Sequence, residues 1–128
     1  MGVDLYAENI IDHFNTPRNQ GEVKNPDIKQ KGLNPFCGDE VQITVKLTRK
    51  KDIEEIKFDG RGCSISQASA SMLTEVVKGK SLDQVKKLTK EDILDLLSIP
   101  IGPVRMKCAL LGLDTLQEGI KLYEHAGN

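Results

Sequence analysis

Apolar residues recur at two different periods along this chain, and the change of period divides it. In residues 4–15, DLYAENIIDHFN, the residues Tyr6, Ile10 and Phe14 recur every four positions. That spacing predicts a helix with one apolar face. Pro17 blocks its continuation, and TPRNQG reads as a turn. Over residues 40–48 the period falls to two. Val41, Ile43, Val45 and Leu47 point one way and Gln42, Thr44 and Lys46 the other, the pattern of a half-buried strand. TRKKD makes a polar turn, and IEEIKF at 53–58 is the return strand, with Ile56 and Phe58 on its apolar face. Residues 28–33 supply a third strand before the turn NPFCGD.

From Ser64 onward the period is helical to the end. Ser64 with Gln67 and Ser81 with Gln84 fit capping boxes, and Thr89 with Asp92 is an acidic version of the same signal. Gly79 is placed to stop the first of these helices and Pro103 to open the last. Along the last helix Met106, Ala109, Leu110, Leu113, Leu116, Ile120 and Tyr123 form one apolar stripe. The run of Ala68, Ser69, Ala70 and Ser71 permits close helix packing. Strands first and helices after predict an α+β fold, a small three-stranded antiparallel sheet covered by helices. The 128 residues suit a single domain, 1–128, with a core that needs no staple.

Composition narrows the function. Net charge is −1 with both signs interspersed, so the basic footprint of a nucleic-acid binder is missing. Two Tyr, three Phe and no Trp make a poor base-stacking platform. No apolar run reaches membrane-spanning length, and MGVDLYAEN lacks the basic and apolar regions of a signal peptide. The expectation is a soluble cytoplasmic protein without a membrane or nucleic-acid partner.

The three cysteines, Cys37, Cys63 and Cys108, are odd in number and far apart, which disfavours a disulfide framework. Each falls at an element boundary. Cys37 sits in the turn before a strand, where Gly38 permits unusual backbone angles. Cys63 directly precedes a helix start, whose dipole and free amides favour a thiolate. Cys108 lies early in the last helix and, on an ideal helix, points well away from the apolar stripe. Taken singly, each is explained as a small buried hydrophobe, and Asp39 as an ordinary turn acid. Taken together, three thiolates and a carboxylate make four ligands, the usual number for zinc and for a two-iron cluster. The carboxylate oxygen is harder than a thiolate and suits a site that accepts cargo and then releases it.

The stretches NPFCGDE, GRGCSISQASASMLTEVVKGK and PVRMKCALLGLDTL, with DHFNTPRNQG near the start, resemble the IscU/SufU/NifU-type iron–sulfur cluster scaffold family. The resemblance covers nearly the whole chain in the same order. It implies a three-stranded antiparallel sheet with several helices and a site at one end for a [2Fe–2S] cluster or, in its absence, Zn²⁺. Carried over position by position, the ligands are Cys37, Asp39, Cys63 and Cys108. It implies a pyridoxal-phosphate-dependent cysteine desulfurase as sulfur donor, an iron donor, and carriers or apo-proteins as recipients.

The chain departs from the family's IscU branch in having Lys107 where a histidine precedes the third cysteine. That lysine and the RMKCALL context look more like the SufU branch, yet the extra segment of that branch between Cys63 and Cys108 is missing. Lys107 is either a solvated helix lysine or an ammonium that offsets the negative charge of the ligands. Arg105 offers a similar charge. His13 reads as helix surface or packing and His125 as solvated tail. IPIGPVRMK retains only part of the IscU branch's chaperone-binding segment. Three functions stay open: a cluster assembly scaffold, a zinc-dependent sulfur acceptor with Cys108 taking the persulfide, and a structural zinc domain.

Overall fold

A computed structural model of the chain describes residues 2–35 and 38–126, with side chains from residue 8 onward. Helix α1 (Gly2–Asn15) is followed by strands β1 (Ile28–Asn34), β2 (Asp39–Leu47) and β3 (Ile53–Arg61). Helices α2 (Ser64–Val77), α3 (Leu82–Lys86), α4 (Lys90–Leu97) and α5 (Pro103–His125) complete the fold. The strands form one antiparallel sheet in the order β1-β2-β3, as the period-two pattern predicts.

The inner face of the sheet is the core. Val41, Ile43 and Val45 of β2 are buried there, with Ile56 and Phe58 of β3 opposite them. Ile53 is buried on the same face although it is three residues from Ile56. A register shift at Lys46/Leu47 makes this possible, because the added residue returns Ile53 to the inner side. Over the outer face runs the segment after α1. It bonds the edge of β3 through Asn19 and Gly21 to Phe58, then crosses the sheet, where Val23 N–H donates to Thr44 Oγ1 at 2.9 Å. This bond explains why Thr44, on the polar side of the alternation, is buried.

Helix α2 lies in the middle of the molecule and is buried from Ile65 to Thr74. Its small residues let neighbours approach on every side, as expected. Ser69 Oγ donates to the Ala109 carbonyl of α5 at 2.6 Å. Ser71 Oγ meets His13 Nδ1 of α1 at 2.7 Å and accepts the Arg18 N–H at 2.9 Å. His13 is therefore packing, 6% exposed, and α1 faces the core through Ile10 and His13. The expected α1 stripe is corrected here: Phe14 is 42% exposed, and the side chain of Tyr6 lies outside the described residues.

Helix α5 also differs from its expected single stripe. It is held between α2 and β1, so it is buried on two sides. Ala109, Leu113, Leu116 and Ile120 belong to the expected stripe, whereas Cys108, Leu111, Thr115 and Gly119 form a second buried line. Gly119 meets Ile28 and Gln30 of β1, and Thr115 and Leu111 sit against Gly32. Cys108 lies off the main stripe, as expected, and is 1% exposed because β1 covers that second side of α5.

Candidate metal centre

The candidate centre sits where the inner face of the sheet ends and two helices begin. Asp39 opens β2, and its register partner across the ladder is Asn34, the last residue of β1. Both side chains are buried, Asp39 completely. The turn between them is closed by the Gly38 N–H, which donates to the Asn34 carbonyl at 2.9 Å, and Gly38 takes φ +72°, as its place in the turn predicts. Cys37 belongs to this turn by sequence and lies outside the described residues.

Cys63 is the residue just before α2. The expected capping box at Ser64 and Gln67 is not formed: Ser64 is already helical, Cys63 is the N-cap, and no side chain of its own caps the helix. The cap arrives instead from the sheet. Asp39 Oδ1 accepts the Cys63 N–H at 2.9 Å, while its Oδ2 stands 4.0 Å from Cys63 Sγ. Gly62 is what lets the carboxylate come so close, since a Cβ there would run into Asp39 Oδ1 and lie 2.6 Å from Ser66 Oγ. A carboxylate at a helix N-terminus also meets the positive end of the helix dipole.

Cys108 lies in the second turn of α5, which begins with Gly102 as N-cap and Pro103 at its first position, as expected. One oxygen of Asp39 and the sulfurs of Cys63 and Cys108 all lie within 4.8 Å of one another. Among the described residues, the predicted ligands Asp39, Cys63 and Cys108 are thus brought together, with Asp39 and Cys108 buried and Cys63 half-buried. Two soft sulfurs and one hard oxygen, converging at the ends of three elements, are a donor set that fits Zn²⁺ or cluster iron.

Two polar residues in this layer were not singled out from the sequence. Asn34 Nδ2 donates toward Cys108 Sγ at 3.7 Å. Ser66 Oγ donates to the Cys63 carbonyl at 3.0 Å and lies 3.9 Å from Cys63 Sγ. The signal available was position: Asn34 is three residues before Cys37, and Ser66 three after Cys63. Lys107 is exposed and lines a cleft of about 300 Å³ with Asn34, Leu110 and Asp114. Partial desolvation raises the Asp114 carboxyl from its ordinary value. Arg105 is exposed, as is His125 in the last turn of α5.

Residues 5–128 match the NifU-like N terminal domain. The chain belongs to this family. Within the NifU-like relatives it is 38% identical to the zinc-dependent sulfurtransferase SufU of Bacillus subtilis, over 97% of this chain and 94% of that one. It is 37% identical to the iron–sulfur cluster assembly scaffold protein IscU of Escherichia coli, over 93% and 94%. A solved structure from Fervidobacterium islandicum AW-1, described as an iron–sulfur cluster assembly scaffold protein for the SUF system, superimposes with TM-score 0.79 at 27% identity. It covers 94% of this chain and 99% of its own. The NifU-like fold is therefore the one this chain adopts, a three-stranded antiparallel sheet with helices, as the resemblance implies. No helix among the described residues is long and apolar enough to cross a membrane.

Proposed function

We propose that this chain is a scaffold on which iron–sulfur clusters are assembled and from which they pass to other proteins. The observation that carries the reading is the meeting of Cys63, Cys108 and Asp39 at one end of a NifU-like fold. In this reading Cys37, two residues before Asp39 in the sequence, is the fourth ligand of a transient [2Fe–2S] cargo. A pyridoxal-phosphate-dependent cysteine desulfurase supplies sulfur as persulfide, an iron donor supplies iron, and carriers or apo-proteins in the cytoplasm take the cluster. Asp39 keeps the cargo labile, because its oxygen is the hardest and weakest of the ligands for cluster iron. Lys107 offsets part of the negative charge that four anionic ligands create. On this reading the protein is a carrier rather than an enzyme.

One observation favours a second reading. The relative from Bacillus subtilis is named a zinc-dependent sulfurtransferase, and Lys107 gives this chain no histidine before Cys108. A zinc-dependent sulfur acceptor would hold Zn²⁺ on the same four residues, with Cys108 as the candidate persulfide acceptor. Anaerobic reconstitution separates the two. Metal-free protein is mixed with ferrous iron, cysteine and a catalytic amount of desulfurase, then desalted. A retained two-iron spectrum that disappears in Cys37→Ala, Cys63→Ala and Cys108→Ala supports the scaffold. No retained cluster, together with faster desulfurase turnover by the zinc-loaded protein, replaces it with the sulfur acceptor.

A further inference from the structure

The two described sulfurs of the centre are not equivalent. Cys108 Sγ is buried and receives an amide N–H from Asn34, itself 4% exposed. Cys63 is half-buried, and the nearest hydroxyl, that of Ser66, directs its proton to the Cys63 carbonyl rather than to the sulfur. We infer that Asn34 is a positioning residue that orients the Cys108 sulfur when it holds metal. The inference rests on the metal-site reading of Asp39, Cys63 and Cys108.

A neutral thiol is a weak hydrogen-bond acceptor. The N–H···S bond becomes much stronger once the sulfur carries negative charge. Asn34 therefore favours the loaded site over the empty one. Its backbone adds to this, since its carbonyl accepts the Gly38 N–H and its ladder partner is Asp39. One residue thus meets the Cys108 sulfur through its side chain and the strand end that carries Asp39 through its main chain. A donor to a ligating sulfur withdraws electron density from it and orients it, as outer partners of metal ligands do.

Cobalt(II) tests this without a desulfurase, because thiolate-to-cobalt charge transfer reports directly on sulfur electron density. The variants are Asn34→Ala, Asn34→Leu, which keeps the side chain's approximate shape, and Ser66→Ala. Folding is checked by circular dichroism. Loss of the amide donor should move the charge-transfer band to longer wavelength in both Asn34 variants. It should also weaken Co²⁺ and Zn²⁺ retention against a chelator by about tenfold, the low end for outer partners of metal ligands. Ser66→Ala should leave the band in place. A folded Asn34→Leu with the wild-type band and retention overturns the inference while leaving the metal site intact, and so does a Ser66→Ala shift as large as that of Asn34→Leu. Wild-type protein that develops no sulfur-to-cobalt band overturns the metal-site reading itself, and this inference with it.

Discussion

The four helices after the sheet begin in two ways. Helices α3 and α4 open with closed capping boxes: Ser81 and Gln84 bond each other's backbone amides, as do Thr89 and Asp92. Helices α2 and α5 open with Cys63 and Gly102 and have no side-chain cap of their own. The sealed starts face water, where a local serine or threonine satisfies the first amides. The open starts are those that carry the cysteines. At α2 the first amide is met by the buried Asp39, and the positive end of the helix is left toward sulfur. Local stability and site chemistry have thus been given to different helix starts.

Substitutions at the two kinds of start should separate cargo from stability. The largest effect is expected from Cys108→Ala and Cys63→Ala, each losing retained cluster or zinc entirely after desalting, read by visible absorption and metal analysis. Cys63→Ser sharpens the contrast. A serine at this extended N-cap can bond the amides of α2, so this variant should be more stable than Cys63→Ala by about 1 kcal/mol in urea unfolding, yet still fail to retain cargo. A Cys63→Ser protein no more stable than Cys63→Ala would mean that the new hydroxyl does not reach the first amides of α2. Asp39→Ala should retain cluster and slow its transfer to an apo-acceptor, followed by the acceptor's spectrum. Transfer as fast as wild type would remove Asp39 from the releasing role. At a sealed start, Thr89→Ala should cost about 1 kcal/mol of stability and leave metal content unchanged.

The smallest expected effect is a pH dependence through the support that α2 receives from α1. Burial lowers the His13 pKa below its ordinary value, with Arg18 acting the same way and Glu75 and Asp12 opposing. The unfolded chain therefore binds the proton more readily than the folded one. The stability contributed by neutral His13 is present above pH 6.5 and is lost as pH falls through the lower folded value. The thermal midpoint of metal-free protein should fall on acidification below pH 6.5, and less steeply in His13→Gln. Equal slopes in the two proteins would assign the acid response to other groups.

How much of this could be read in the sequence follows the range of each interaction. The boxes at Ser81 and Thr89 are closed between residues three apart, and the alternation in β2 needs only one strand, so both were legible. The box proposed at Ser64 failed because the helix starts one residue earlier than it requires: Cys63 is the N-cap and Ser64 is already helical. Phe14 continued a regular spacing but His13, a polar residue, faces α2 instead, held by Ser71. The second buried line of α5 was hidden for a similar reason: α5 is covered by β1 as well as α2, and a single period shows only one contact face. The proposed ligands were legible as residue types at element boundaries and through the resemblance. Their convergence at one corner, and the amide of Asn34 behind one sulfur, depend on the register of β1 against β2.

Asp39, Cys63 and Cys108 come from a strand, a junction and a helix that are far apart along the chain and meet only when sheet and helices are packed. An ion held by all three would bind the folded chain and not the unfolded one, a removable tie between distant segments that a chelator or an acceptor undoes. Loading the centre would then raise the resistance of the whole fold to unfolding, and unloading it would return the chain to what its apolar core supplies alone.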